Sequence, residues 1–226
     1  MDIVEIQHLK KYFYDNRRGS GGPAPVKALD GIDLTIEKGR FTAIVGASGS
    51  GKTTLLNCIA GLYRPTAGRV IVDGLDLSEM DEDRLTVFRR RRIGFVFQGF
   101  NLIPELTVRE NILCPLALDD AQPDWPYFDR LTEMLGLTRH LDARPHTLSG
   151  GAQQCTAIAR ALITKPQIVL ADEPTGSFDI KTTNNVAGLL KSTAAAFHQT
   201  LVVITHNMEL AQLADRVVRL RDGRLI

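Results

Sequence analysis

The chain has 226 residues, of which 44% are hydrophobic and 23% are charged, with 27 basic and 26 acidic side chains. This length suits one large domain or two small ones, and the balanced charge argues against a strongly basic nucleic-acid-binding protein. The longest apolar runs are about five residues, far short of the roughly 20 that a membrane-spanning helix needs, and the N-terminus lacks the pattern of a signal peptide.

The first part of the chain is predicted to form short strands separated by turns. Ile3–Ile6 is a short apolar strand, and residues 15–25, rich in Gly, Pro and Arg, form a loop. Leu29–Ile36 alternates apolar and polar residues, which is typical of a half-buried strand. After a turn at Glu37–Arg40, the apolar run Phe41–Val45 is a buried strand. The pattern indicates a small, partly antiparallel sheet beside a parallel core.

A glycine-rich loop follows this buried strand and has the spacing G-x-x-x-x-G-K-S/T of a phosphate-binding loop. Its glycines let successive backbone N–H groups face an anion, and the helix that follows adds its positive end. Lys52 would reach the outer phosphates, and the Thr53 hydroxyl would ligate Mg²⁺. The alternative is a glycine-rich turn with a chance lysine, which the strand–loop–helix order disfavours. The candidate nucleotide-binding residues are Gly46, Ala47, Ser48, Gly49, Ser50, Gly51, Lys52, Thr53 and Thr54.

The next elements are a turn, a short strand at Arg69–Gly74 and a helix at Asp81–Arg92 with Asp81 as its N-cap. The helix ends in four consecutive arginines, Arg89–Arg92. One interpretation is a solvated helix end whose charges suit the helix dipole. The other is a patch that faces anionic lipid headgroups. We favour the first.

The strand Ile93–Phe97 places Gln98 at its carboxyl end, where α/β sheets carry ligand-binding residues. Residues 99–157 are interpreted as a helical insertion that includes an amphipathic helix over 127–137. Ser149–Gly151 opens a helix running to Thr164 and offers a hydroxyl, a flexible backbone and a helix N-terminus to an anion. Taken alone, Ser-Gly-Gly is also an ordinary helix start.

Two acidic residues follow the buried strand Ile168–Ala171. Asp172 would hold Mg²⁺ through its water shell, and Glu173 is a candidate general base for an attacking water. The alternative is a turn with solvated charges. His206 follows a later strand and could polarise a γ-phosphate, although a histidine there is also an ordinary loop residue. The chain is predicted to end with a helix over 181–197, a strand over 200–204, a short helix after His206, and strands near Val217 and Arg224.

Together these features resemble one family, the ATP-binding cassette (ABC) ATPases. Six family motifs occur in the family's order and cover essentially the whole chain, a far more specific signal than any single one. They are the Walker A loop, the Q-loop, the signature, the Walker B strand with its glutamate, the D-loop and the switch histidine: Gly46–Thr53, Gln98, Leu148–Gly151 with Gln153 and Gln154, Ile168–Glu173, Ser177–Asp179, and Thr205–His206.

Three further stretches look like cassettes of the MacB/LolD type: Phe95–Pro104, Ala171–Gly176 and Ala214–Arg224. Such ATPases serve macrolide and peptide exporters, lipoprotein release, haem efflux and resistance to peptide antibiotics. The resemblance therefore implies a subunit that energises a membrane transporter or a mechanotransmission complex. The transported substrate cannot be read from this chain, because specificity resides in the permease.

The resemblance implies an α/β fold: a P-loop NTPase with a RecA-like core, an N-terminal antiparallel β subdomain and an α-helical insertion subdomain. Residues 1–226 would form one ABC ATPase domain, with 1–98 and 158–226 as β subdomain and core and 99–157 as the helical subdomain. The implied reaction is hydrolysis of ATP to ADP and phosphate, with ATP and Mg²⁺ as cofactors. The implied catalytic residues are Lys52, Gln98, Glu173 and His206, and the implied metal ligands are Thr53, Gln98 and Asp172.

In this family two cassettes pair head to tail, so residues of one copy contact the ATP held by the other. The residues expected to act in trans are Ser149, Gly150, Gly151 and Asp179. The implied partners are a transmembrane permease and a second copy of the chain, with no nucleic acid. The expected location is the cytoplasm, at the inner face of the cell membrane, and three widely spaced cysteines indicate no disulfide framework. Tyr12 lies where the family places an aromatic ring that stacks on adenine, although Phe13 or Tyr14 could serve.

The chain departs from the family's usual residues at Ala152 and Cys155 in the signature, at Ser177 and Phe178 before Asp179, and at Asn207 after the switch histidine. None of these changes removes a catalytic atom, and they leave the strength of dimer closure and the turnover rate open. Two other functions remain as alternatives: a soluble ABC ATPase in DNA repair, translation or iron–sulfur assembly, and a module that uses ATP only as a clamp.

Overall fold

The computed structural model describes residues 1–14, 25–175 and 180–226. The strands in these ranges are β1 (Asp2–Phe13), β2 (Val26–Glu37), β3 (Phe41–Val45), β4 (Ala67–Val72), β5 (Leu75–Asp76), β6 (Ile93–Val96), β7 (Ile168–Asp172), β8 (Thr200–Thr205), β9 (Arg216–Arg221) and β10 (Arg224–Leu225). The α-helices are α1 (Lys52–Ile59), α2 (Glu82–Arg92), α3 (Val108–Ala117), α4 (Trp125–Met134), α5 (Gly150–Leu162), α6 (Ile180–Ala196) and α7 (Met208–Gln212).

The strands form two sheets. An antiparallel sheet has the order β2-β1-β4-β5, and a six-stranded sheet has the order β10-β9-β3-β8-β7-β6. All neighbours in the second sheet are parallel except β10, which runs antiparallel to β9. The predicted α/β fold, with an N-terminal antiparallel sheet beside a parallel core, is confirmed.

Apolar residues cover both faces of the parallel sheet. On β7, Ile168 and Leu170 face the layer that contains α1 and the antiparallel sheet, whereas Val169 and Ala171 face the layer of helices α3 to α6. A strand buried on both faces has no polar side, which is why it appears in the sequence as an unbroken apolar run. These runs end at the same edge of the sheet, where the polar residues of the site begin.

The first strand is longer than its sequence pattern indicates. We predicted a short strand at Ile3–Ile6, whereas β1 continues to Phe13 because β2 and β4 pair with it on both sides. Its register with β2 shifts between Ile6 and Leu9, and His8 has a φ of 50°. This bulge breaks the apolar alternation and hides the second half of the strand.

The arginines that end α2 lie in its last turn, where Arg91 and Arg92 are exposed, in line with the favoured prediction of a solvated helix end, but they also have specific partners. Arg91 binds both carboxylate oxygens of Asp119, at 2.8 and 3.1 Å, and Arg90 lies 3.3 Å from the same carboxylate. Arg92 pairs with Asp73 at 3.1 Å. The cluster therefore fastens α2 to the segment after α3.

Helix α4 begins two residues earlier than predicted. Asp124 accepts a hydrogen bond from the Tyr127 backbone N–H at 3.1 Å, and Pro126 lies in the first turn. A proline is favourable there because its missing N–H would have no helical partner. Pro126 is therefore part of the helix start, which moves the first residue of the helix from 127 to Trp125.

Candidate functional site

The glycine-rich loop joins β3 to α1 and wraps around its own lysine. The ammonium group of Lys52 donates hydrogen bonds to the carbonyl oxygens of Gly46 and Ala47, at 2.8 and 3.0 Å. Gly51 has a φ of 102°, and a Cβ at this position would lie 2.4 Å from the Ala28 carbonyl oxygen. Glycine is required here by both the backbone conformation and the space, as the motif predicts.

An aspartate at the end of β7 faces a threonine at the start of α1. The Thr53 hydroxyl donates to Asp172 Oδ1 at 3.5 Å, and both residues line an open cleft that also contains Gln98. These side chains offer carboxylate, hydroxyl and amide oxygens, the ligand types that Mg²⁺ prefers. Burial is the main cause of a raised pKa for Asp172. Burial therefore disfavours the charged form of Asp172 beside the phosphate loop.

Asp172→Asn is expected to raise the thermal unfolding midpoint at pH 7 and to weaken Mg²⁺-dependent nucleotide binding. Because the folded-state pKa is raised, the ionised carboxylate costs stability at pH values above that pKa, and a neutral amide removes this cost. The gain should shrink as the pH falls through the raised pKa of the folded state and should vanish below the ordinary pKa of an aspartate, since the parent side chain is then protonated in both states. Thermal denaturation from pH 7 to pH 4 tests this, and a midpoint at pH 7 equal to or below that of the parent contradicts it.

The next residue, Glu173, has its carboxylate held by three groups from the end of β8. Its Oε2 accepts hydrogen bonds from the Thr205 hydroxyl at 3.0 Å and from the His206 backbone N–H at 3.3 Å, and its Oε1 lies 2.8 Å from His206 Nδ1. The Glu173 side chain is only 13% exposed, whereas that of His206 is 68% exposed. The carboxylate is thus oriented and largely shielded from solvent while still lining the cleft.

Thr205 is a residue to which sequence analysis assigned no chemical role. Its hydroxyl donates to Glu173 and accepts from the Asn207 backbone N–H at 3.0 Å. The residue is fully buried. Its position directly before the histidine was the available signal, but a buried strand threonine is too common for that signal to be specific.

The cleft has a volume of about 810 Å³ and brings together most of the predicted site. The predicted residues that line it are Ser48, Gly49, Gly51, Lys52, Thr53, Thr54, Gln98, Asp172, Glu173 and His206. Gly46, Ala47 and Ser50 complete the loop around the lysine and line the adjoining depression. Four segments that are distant in the chain, at 46–54, 98, 172–173 and 206, therefore converge at this cleft.

One wall of the cleft was missed by sequence analysis. It consists of Val26–Ala28 at the start of β2 and Asp222–Gly223 in the turn between β9 and β10. The Gly223 N–H donates to the Ser50 carbonyl oxygen at 3.0 Å, so the turn holds the phosphate loop directly. Val26–Ala28 carries no motif, and although Ala214–Arg224 resembles the MacB/LolD type, nothing in that stretch indicates that its Asp-Gly turn lies at the cleft. The two segments come together only through the folded sheet order.

The predicted adenine-stacking residue is engaged elsewhere. The Tyr12 hydroxyl donates to Asp30 Oδ1 at 2.5 Å, and Arg224 binds Asp30 Oδ2 at 2.9 Å. The Tyr12 hydrogen bond and then Arg224 lower the pKa of Asp30 to about 2. Phe13 instead packs edge-on against Tyr63, with ring centroids 5.7 Å apart. Among the described residues of the cleft lining there is no aromatic ring other than that of His206, so a role for Tyr12 in stacking remains a prediction.

Three of the residues expected to act in trans, Ser149, Gly150 and Gly151, lie away from the cleft. Ser149 caps α5 by accepting the Ala152 backbone N–H at 3.3 Å, and neither it nor Gly150 or Gly151 lines the cleft. This separation fits residues that would contact a nucleotide held by another copy. Asp179 lies outside the described residues, together with Ser177 and Phe178.

An apolar groove of about 410 Å³ lies between α2, β6, α3 and α5. Its lining includes Phe97 and the 67%-exposed Leu118, with arginines at its rim. Within the three described ranges, no helix has the length and hydropathy needed to cross a membrane. The groove is an exposed apolar surface.

Comparison with known proteins places this geometry in context. The family model described as ABC transporter matches residues 29–176. The lipoprotein-releasing system ATP-binding protein LolD of Anaeromyxobacter dehalogenans is 46% identical, with the alignment covering 99% of this chain and 92% of the relative. The macrolide export ATP-binding/permease protein MacB of Brucella melitensis is 42% identical over 99% of this chain, which spans 34% of that longer protein.

A solved structure has the same architecture. The dimeric post-hydrolysis state of the ATP-binding cassette MJ0796, bound to ADP and Pi, superposes with a TM-score of 0.85 at 39% sequence identity. The match covers 98% of this chain and 96% of that one. In that protein the fold thus holds the products of ATP hydrolysis within a dimer.

Proposed function

The chain belongs to the ABC transporter family of ATP-hydrolysing proteins, and from that premise we propose that it energises a membrane transporter of the LolD/MacB type as one of a head-to-tail pair. The observation that carries this proposal is the single cleft in which the phosphate loop, Asp172, Glu173 and His206 meet. Its chemistry is that of phosphoryl transfer to water.

Hydrolysis is assigned to the shielded carboxylate of Glu173. In its ionised form it would take a proton from the attacking water, while His206 orients the outer phosphate and Lys52 offsets the negative charge that develops. Gln98 lies in the same cleft and would sense the γ-phosphate. Thr53, Gln98 and Asp172 would hold Mg²⁺, which supplies charge neutralisation of the phosphates when bound.

The site is proposed to be completed by a second copy of the chain. The phosphate loop holds one side of the triphosphate, and Ser149–Gly151 with Asp179 of the other copy would contact its exposed side. The N-terminus of α5 suits this role because its free N–H groups and dipole favour an anion. ATP would then join the two copies, and hydrolysis would release them.

The permease is proposed to dock where the helical part, residues 99–157, meets the rest of the chain. The groove between α2, α3 and α5 offers an apolar floor, and relatives of this chain are named as parts of lipoprotein-releasing and macrolide-export systems. The proposed occupant is a cytoplasmic segment of a transmembrane permease with an apolar face. This contact would hold the chain at the inner face of the cell membrane.

Leu118→Glu tests the docking role, because it places a charge on the most exposed apolar side chain of the groove. In cells that produce the tagged variant, the share of the chain that sediments with membranes should fall at least about fivefold, since removing a carboxylate from water against an apolar partner is costly. ATP hydrolysis by the purified variant should stay at the parent rate.

Ile226→Glu is the matched control, because Ile226 is 74% exposed and lies outside the groove. Its membrane share should equal that of the parent. A parent chain found only with ribosomes or DNA, or a Leu118→Glu variant that stays on membranes like the parent, contradicts the proposed docking.

A further inference from the structure

An arginine near the end of α5 holds the backbone of a distant turn. Arg160 Nη1 donates to the Asn101 carbonyl oxygen at 2.5 Å, and Nη2 donates to the Phe100 carbonyl oxygen at 2.8 Å. The planar fork of the guanidinium thus binds two consecutive carbonyls. The family motifs assign no role to this side chain.

The turn that Arg160 holds has an unfavourable backbone conformation. Phe100 and Asn101 have φ angles of 60° and 50°, both in the left-handed region, and the Asn101 N–H donates to the Gly99 carbonyl oxygen at 2.6 Å. Such a conformation costs free energy in a bulky residue such as Phe and persists only where the surroundings enforce it. Gln98, which lines the nucleotide cleft, belongs to the same turn.

Helix α5 connects this turn to the residues proposed to act in trans. Ser149 caps its first turn, and Arg160 lies near its last residue, Leu162. The end of the helix lies directly against β6, where a Cβ on Gly94 would come within 2.3 Å of the Ala161 carbonyl oxygen. The end of α5 is therefore in direct contact with the backbone that leads into Gln98.

The charge of Arg160 is not explained by an ion pair. Within the described ranges, none of the recorded ion pairs includes this side chain. Desolvation by burial lowers the pKa of the guanidinium. Since a partly buried cation bound only by carbonyls is costly, packing alone would favour a neutral side chain at this position. The contribution of the guanidinium is its pair of hydrogen bonds to the turn.

We infer that Arg160 is a positioning residue that ties the helix carrying Ser149 to the turn carrying Gln98, so that closure of the pair sets Gln98 in the cleft. The inference rests on the proposed function, because it requires that ATP closes two copies. Arg160 touches no part of the cleft itself and acts through Gln98.

A double-mutant cycle on the full chain tests this inference. Arg160→Ala should lower kcat about tenfold or more, because small displacements of a catalytic group are costly, while the affinity of the isolated chain for ATP changes less than about twofold. In a Gln98→Ala background the same substitution should change kcat by less than about twofold, since the group that it positions is already absent. Arg160→Lys, which keeps the charge but loses the fork, should resemble Arg160→Ala.

Arg130→Ala is the matched control, because Arg130 is an exposed arginine of the helical part that packs on the Phe197 ring. It should hydrolyse ATP at the parent rate. If Arg160→Ala lowered kcat by the same factor in the parent and in the Gln98→Ala background, the inference would be overturned. A kcat of Arg160→Lys equal to that of the parent would also overturn it. A parent chain without ATPase activity would instead refute the proposed function, so the two failures are distinguishable.

Discussion

Lys52→Ala is expected to reduce ATP hydrolysis about a hundredfold to a thousandfold and to weaken ATP binding strongly. The ammonium group lies inside the phosphate loop, bound to the Gly46 and Ala47 carbonyls, and is only 8% exposed. Its removal takes away the positively charged side chain that the loop offers to the outer phosphates, and charged donors of this kind supply much of the stabilisation in phosphoryl transfer.

The measurement is steady-state phosphate release together with ATP affinity from a fluorescent nucleotide. Lys38→Ala serves as the control, because Lys38 is an exposed lysine in the turn before β3. It should bind and hydrolyse ATP like the parent. If Lys52→Ala kept more than about a tenth of the parent rate, the phosphate loop would not be the site of hydrolysis.

Glu173→Gln is expected to lower hydrolysis about a hundredfold to ten-thousandfold while leaving ATP affinity within about threefold of the parent. The amide keeps the shape of the side chain, and its oxygen can still accept from the Thr205 hydroxyl and the His206 backbone N–H. An amide cannot take a proton from water, so the loss should fall on kcat and not on binding.

Glu209→Gln is the control for this substitution, since Glu209 is an exposed carboxylate in the first turn of the nearby helix α7. Single-turnover hydrolysis of bound ATP separates the chemical step from product release. Hydrolysis by Glu173→Gln at the parent rate would show that another group activates the water.

The buried parts of the fold were predictable because their physics is local. The runs Phe41–Val45 and Ile168–Ala171 are apolar on both faces, and the structure buries both completely. The phosphate loop was predictable for a related reason: its glycines, lysine and threonine are contiguous, so their spacing alone specifies the geometry.

Other features depend on contacts between distant parts of the chain. The bulge at His8 shifts the register of β1 and conceals half of that strand. Arg91 and Asp119 are 28 residues apart, and nothing in either neighbourhood indicates that they pair. The Asp222–Gly223 turn reaches the cleft only because β9 lies next to β3.

The residues proposed to act in trans are indicated by the sequence, but their role cannot be seen in the structure of one copy. Ser149 has an ordinary role within one chain, the capping of α5, and nothing in its own contacts indicates a nucleotide. Its proposed role exists only when two copies meet. A local pattern can therefore indicate the residue, while its partner atoms belong to another molecule.

The most direct measurement of paired function is the mass of Glu173→Gln in solution with and without Mg-ATP, determined by light scattering after gel filtration. If ATP closes the pair, the mass should be the 24.9 kDa of one chain without ATP and twice that mass with it. Adding Lys52→Ala, or placing a bulky ring at the trans contact with Ser149→Phe, should return the mass to that of one chain. A mass that stays at one chain in saturating ATP, or a doubling that Ser149→Phe leaves intact, would contradict the proposal that ATP closes two copies head to tail.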